Sequence, residues 1–352
     1  MPRILTVEIG SRLSTIQSAV TEANYGDTIQ VAAGTYTEQV SINKNLTLVG
    51  MGSRRDTIIE APATLAQDWR RRTVIVEIGM DNSTRPPQVT MRQFTVRGPG
   101  GSPDVGIGVY GGANLELSSV DVIDIRAPLI SGFNSPGGTA IGVGLSDNRR
   151  FPGGEVGVAT ITDVSLANYG EHGITVFRSG SRAHIENNQV TGHGSAFQAG
   201  IMVGQNATAT IVNNDVIRNI GILTDPDYGN DPINQAQSVG IGTSGAGVGS
   251  HIVNNRVLHN DVGTYQYFTP GCTTTNNVLT DNNFYGLVIQ NGTSESINDT
   301  VSGGEYGIAV VADEIDTSST IQNAKISGYD SVSREVREIP VSPCTVTVQR
   351  RA

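Results

Sequence analysis

The chain has 352 residues with 37% hydrophobic and only 5% aromatic content, a formal net charge of −10, and two lysines, Lys44 and Lys325. An acidic balance with no Lys/Arg-rich run excludes the electrostatic footprint of a binder of nucleic acid or anionic membranes, and no run of about 18 apolar residues would span a bilayer. The 43 glycines, with many Asn, Thr, Ser and Val, make a β and turn composition rather than a helical one.

The opening MPRILTVEIG lacks the charged-then-apolar pattern of a signal peptide, and a removed leader stays open. Residues 13–24 read as a short amphipathic helix, with Ile16, Ala19, Val20 and Ala23 on one face, suited to cap an open core. Residues 28–330 read as short alternating runs, and 331–352 as a C-terminal cap around Cys344–Val348. The stretches 63–75, 95–104, 130–138, 146–155 and 222–238 read as loops let out from the repeating part. No linker divides the chain, so a single domain over 1–352 is expected. Cys272 and Cys344 match no metal or redox spacing and, some three repeats apart, read as unpaired thiols.

Two signals recur. A polar pair before an apolar residue appears as Asn187-Asn188, Asn213-Asn214, Asn254-Asn255 and Asn276-Asn277, with weaker copies at Asn298-Asp299 and Gln322-Asn323. Each is followed by Gly-apolar-x-apolar, at Gly173, Gly200, Gly286 and Gly307, with Gly240 and Gly263 in the same place. Successive glycines are 27, 40, 23, 23 and 21 residues apart. A unit of roughly 22 residues without helical periodicity is one turn of a β-solenoid. Asn tolerates the left-handed backbone of a tight corner, and stacked Asn side chains can bond along the stack. The fold expected is therefore all-β: a right-handed parallel β-helix of about ten coils with an N-terminal capping helix.

Thr15-Ile16-Gln17-Ser18-Ala19-Val20, Gly26-Asp27-Thr28-Ile29-Gln30-Val31, Gly34-Thr35-Tyr36-Thr37-Glu38 and Ile42-Asn43-Lys44-Asn45-Leu46-Thr47-Leu48-Val49-Gly50 resemble the opening of pectin methylesterases. The same stretch is similar to many right-handed parallel β-helix proteins, a superfamily that includes pectate lyases, polygalacturonases, mannuronan epimerases and phage tailspikes. The resemblance implies an extracellular or cell-surface protein directed at carbohydrate. The esterase motifs of the QDTL, DFIFG and LGRPW types are absent, so esterase activity is not expected. Gly192-His193-Gly194 resembles a polygalacturonase triplet, but the paired-aspartate motifs are missing and the triplet reads as turn chemistry.

The outward side of the strands that begin with the repeated Gly is the candidate surface. Counting four residues on places Tyr110, Phe177 and Tyr267 in one register, with Tyr265 beside them, as a stripe for stacking sugar rings. Glu171, His172 and Arg178 have the residue types for proton transfer and carboxylate neutralisation. Asp225, Asp227 and Asp231 supply hard oxygen ligands suited to Ca²⁺, and no other cofactor is called for.

Two functions fit. One is a carbohydrate-directed β-helix that binds or modifies a polysaccharide or other glycan, with lyase or epimerase chemistry favoured because no carboxylate pair for hydrolysis stands out. The other is a non-catalytic structural or adhesive solenoid of a cell surface, spore coat or virion, for which self-association into a homo-oligomer is expected.

Overall fold

The computed structural model describes residues 1–68, 72–79, 85–98, 100–127, 137–144, 155–194, 197–221, 238–331 and 335–351. Helix α1 (Ile16–Glu22) begins at Thr15, whose hydroxyl accepts the Ser18 amide at 3.2 Å. The Glu38 carboxylate accepts the free amides of Ile16 and Gln17, each at 2.8 Å, supplying partners that the first turn of a helix lacks. Ile16, Ala19, Val20 and Ala23 are all buried, so the face read from the sequence does close the core.

Beyond the helix the chain winds through three faces per coil. Face 1 is an eleven-stranded sheet that runs from Val40–Ile42 through His172–Phe177, Ala199–Gly204, Val239–Ser244, Val262–Tyr267, Tyr285–Gln290 and Tyr306–Ala312 to Val336–Pro340. Faces 2 and 3 form one sheet of 21 strands, because Gln88–Arg97, Asn114–Ile123 and Val158–Ala167 run unbroken across the corner between them. Pairing along the stack is parallel. The fold is a right-handed parallel β-helix, with eleven rungs on face 1 where about ten coils were expected. The two C-terminal strands continue the stack: Val336–Pro340 pairs with Tyr306–Ala312, and Val346–Arg351 with Thr317–Gln322.

The Asn pairs divide their labour. The first member takes the left-handed corner, with φ of 56° at Asn187 and Asn213, 55° at Asn254, 57° at Asn276 and 55° at Asn298. The second member is buried and bonded to the next rung: Asn188 Nδ2 donates to Asn214 Oδ1 at 2.9 Å, Asn214 to Asn255 at 2.9 Å, and Asn255 to Asn277 at 3.0 Å. Asp299 ends this ladder, accepting Asn277 Nδ2 at 3.0 Å. A second ladder runs five residues further on, from the Tyr169 hydroxyl through Asn219 and Asn260 to Asn282.

The repeated glycine has a steric cause. A Cβ on Gly173 would stand 2.4 Å from the Gly200 carbonyl oxygen, and one on Gly263 2.5 Å from that of Gly286, so any side chain there would force the rungs apart. Of the expected loops, 63–75 gives way to strand at Val74 and 95–104 begins inside the strand ending at Arg97. Residues 128–136, 145–154 and 222–237 lie outside the described residues. Cys272 and Cys344 are both free; burial pushes the Cys272 thiol up to about 12.

Candidate functional site on face 1

Strand register sorts the outward side chains of face 1 into columns, with rungs about 4.8 Å apart. One holds His172, Ala199, Val239, Val262, Tyr285 and Tyr306. The next holds Thr175, Met202, Gly242, Tyr265, Val288, Ala309 and Arg337. The third holds Phe177, Gly204, Ser244, Tyr267, Gln290 and Val311. Phe177 and Tyr267 are therefore three rungs apart, roughly 14 Å. Glycine between them lets neighbours lie flat: Phe177 covers Gly204 and Met202 covers Gly242.

Of the four aromatic residues expected on this stripe, Phe177, Tyr265 and Tyr267 are half-buried on the outer side. Tyr110 is not part of the surface. It is fully buried, because Gly108, two residues earlier, lets its ring fold down onto the strand. Around Tyr265 and Tyr267 a polar and aromatic cluster assembles. Their rings stack at 6.1 Å, and Tyr267 meets Phe268 edge-on at 4.6 Å. The Tyr265 hydroxyl donates to Gln290, whose amide donates to Asp313 at 2.7 Å. The Tyr267 hydroxyl donates to Glu314 at 3.0 Å; desolvation and that carboxylate push it up to about 12.

Two further rungs carry Tyr285 and Tyr306, stacked at 5.1 Å with Arg337 lying 4.9 Å over the Tyr306 ring and donating to the Tyr285 hydroxyl at 2.8 Å. Counting forward from the repeated glycine misses these tyrosines because they precede it. The signal was present at Tyr285-Gly286 and Tyr306-Gly307, in the register of His172-Gly173. Arg337 lies in a rung with no repeat motif.

The candidate proton-transfer group is spread along one strand. His172 starts it and Arg178 follows its last residue, about 20 Å along an extended backbone. Glu171 Oε2 stands 3.7 Å from His172 Nδ1, and the His172 side chain is only 11% exposed. Burial lowers its pKa, with Glu171 opposing, so the imidazole is held neutral. Its ring meets Phe177 edge-on at 6.4 Å. Arg178 occupies the turn at φ 85°. On the outer side Ala199, Val239, Val262, Tyr285, Val288, Ala309 and Val311 pack together as a second buried apolar cluster, separate from the central core.

Asp225, Asp227 and Asp231 lie outside the described residues. Among the described residues no group of three His, Cys, Asp or Glu side chains is placed to hold a metal. No helix among them is long and apolar enough to cross a membrane. Face 2 carries shallow concavities, one of about 360 Å³ lined by Thr273, Glu295 and Thr320 and one of about 270 Å³ lined by Thr160, Arg182 and His184. Their linings contain no aromatic ring other than His184.

Residues 78–326 match the family model of the right handed beta helix region. The chain belongs to the right-handed β-helix family. Among solved structures, this β-helix is similar to XylC in complex with xylose (TM-score 0.60, 10% identity, 96% of this chain and 86% of that one). It is also similar to the A-module of the Azotobacter vinelandii mannuronan C-5 epimerase AlgE4 (0.56, 13%, 96% and 90%). A third similar structure is the periplasmic alginate epimerase AlgG (0.52, 11%, 93% and 76%). At these identities the likeness shows the fold alone. No curated protein sequence matches the chain.

Proposed function

We propose that this β-helix is an extracellular, carbohydrate-directed protein that holds a polysaccharide along the outer side of face 1. The observation that carries this reading is the set of aromatic side chains on three adjacent columns, Phe177 and Tyr267 in one, Tyr265 in the next and Tyr306 in the third, interleaved with Gln290, Asp313, Glu314 and Arg337. Rings pack on the apolar faces of sugars while carboxylates, amide and guanidinium bond hydroxyls and uronate groups. Similarity to a xylose-bound protein and to alginate epimerases supports the same class of ligand.

The chemistry the face offers is of lyase or epimerase type. Neutral His172 can accept a proton from the sugar carbon next to a carboxylate, the electron pair passing into that carboxylate, and Arg178, about 20 Å along the strand, can pair with a different uronate of the same polymer. Ca²⁺ at Asp225, Asp227 and Asp231 remains part of the proposal. A screen of uronate polymers with and without Ca²⁺, reading ultraviolet absorbance of unsaturated product and proton exchange at the sugar carbon, tests it. Activity lost by at least a hundredfold in His172→Ala supports the assignment; unchanged activity removes His172 from it.

The rival reading, a non-catalytic structural or adhesive solenoid, draws on the buried apolar layer over face 1. It predicts a homo-oligomer on sizing and no affinity for any glycan.

A further inference from the structure

The lumen of this β-helix changes character near its C-terminal third. On face 2 the inward pairs are Ala183 with Ile185 and Ala209 with Ile211; two coils later the same columns hold Cys272 with Thr274, then Ser294 with Ser296. On face 1 the columns of Ile201 and Val203 hold Thr264 and Gln266. All six of these later residues are buried, with Ile241 before them and Leu287 and Ile289 after.

Most of this polar patch is satisfied by protein. Thr274 and Ser296 donate to Asp299 at 2.5 and 2.7 Å, Ser294 donates to the Cys272 carbonyl at 2.9 Å, and Thr269 donates to the Thr243 hydroxyl at 3.0 Å. Three atoms are left over. Among the described residues Gln266 Oε1, Gln266 Nε2 and Thr264 Oγ1 have no hydrogen-bond partner. Gln266 is 1% exposed and Thr264 fully buried, so these groups lose bulk water and gain no protein partner.

Thr264 and Gln266 are two residues apart on one strand and point to the same side. On face 2 the single column of Ile185 and Ile211 continues to Thr274 and Ser296, whose side chains are shorter than isoleucine and carry hydroxyls. We infer that this compartment is a built hydration site, holding ordered water bridged between the Gln266 amide and the Thr264 hydroxyl. Polar walls with two or more free bonding groups hold water, whereas apolar cavities stay dry.

The test is oxygen-17 magnetic relaxation dispersion on the full chain, which counts internal waters of long residence, together with a high-resolution crystal structure. Gln266→Val with Thr264→Ile restores the side chains of Val203 and Ile201 and is expected to abolish at least one long-lived water. An unchanged count in that folded variant overturns the inference. If the variant does not fold, the wild-type crystal structure decides. Density at bonding distance from Gln266 Oε1 or Nε2 supports the site. A Gln266 side chain bonded to protein overturns it, as does density that gains an anomalous signal on exchange of chloride for bromide.

Discussion

Asn255 donates twice to one atom of the neighbouring rung, its backbone amide at 2.9 Å and its Nδ2 at 3.0 Å, both to Oδ1 of Asn277. The same Nδ2 also reaches the Ile211 carbonyl at 2.9 Å, so one buried amide ties three coils. Asn255→Ala takes the shared acceptor from the amide and Nδ2 of Asn214; Nδ2 keeps the carbonyls of Ile185 and Val212, and the buried backbone amide is left unpaired, at about 1–3 kcal/mol. Urea unfolding is expected to show a loss of about 2 kcal/mol. A loss below about 1 kcal/mol would mean that the ladder is ornament.

Asp299 stands where the ladder pattern places Asn, and burial raises its pKa above the ordinary 3.8. The folded carboxyl thus holds its proton to higher pH than the unfolded one. Its contribution to stability is complete below the unfolded value and is lost as pH rises through the folded value. Asp299→Asn keeps the acceptor for Asn277 and turns an amide toward the hydroxyls of Thr274 and Ser296. The variant is expected to gain about 1 kcal/mol at neutral pH relative to wild type and to lose that slope, as melting temperatures against pH would show.

Tyr110 and Tyr267 occupy one column and should part company in experiment. Tyr110→Ala empties a fully buried site and is expected to cost about 3 kcal/mol or more in stability. Tyr267→Ala, at a half-buried outer ring, should leave the melting temperature nearly unchanged and weaken glycan binding roughly tenfold. Equal destabilisation by both would place Tyr267 in the packing rather than on the binding face.

His172 should titrate below its ordinary 6.5, since burial disfavours the cation. As pH falls, the unfolded chain takes up this proton first, so the site loses stability below 6.5. Glu171 raises the His172 value, and Glu171→Gln is expected to lower it further. NMR of the imidazole resonances reads both shifts; a midpoint at or above the ordinary value would contradict the buried placement.

Much of this architecture was legible because stacking constrains every coil at the same position. The Asn pairs and the repeated Gly mark places where a corner needs left-handed backbone or a neighbouring carbonyl leaves no room for Cβ. One register needed correction. In the weak copy at Gln322-Asn323 it is Asn323 that takes the corner, with φ 51°, so Ala324 falls at the ladder position. The second ladder was written as plainly, Asn219, Asn260 and Asn282 each five residues after Asn214, Asn255 and Asn277. The surface was harder to read. Burial of Tyr110 depends on space above Gly108, and the pairing of Tyr306 with Arg337 joins rungs that share no motif. The separation of His172 from Arg178 follows from strand length, which six residues alone do not announce.

The most direct test of the central claim is calorimetric titration of the intact protein with alginate, polygalacturonate and xylan oligosaccharides, beside the triple variant Phe177→Ala, Tyr265→Ala, Tyr267→Ala. A face 1 polysaccharide site predicts binding of at least one polymer by wild type and its loss in a variant that remains folded. Binding that survives the triple substitution, or no binding of any of the polymers by wild type, contradicts it.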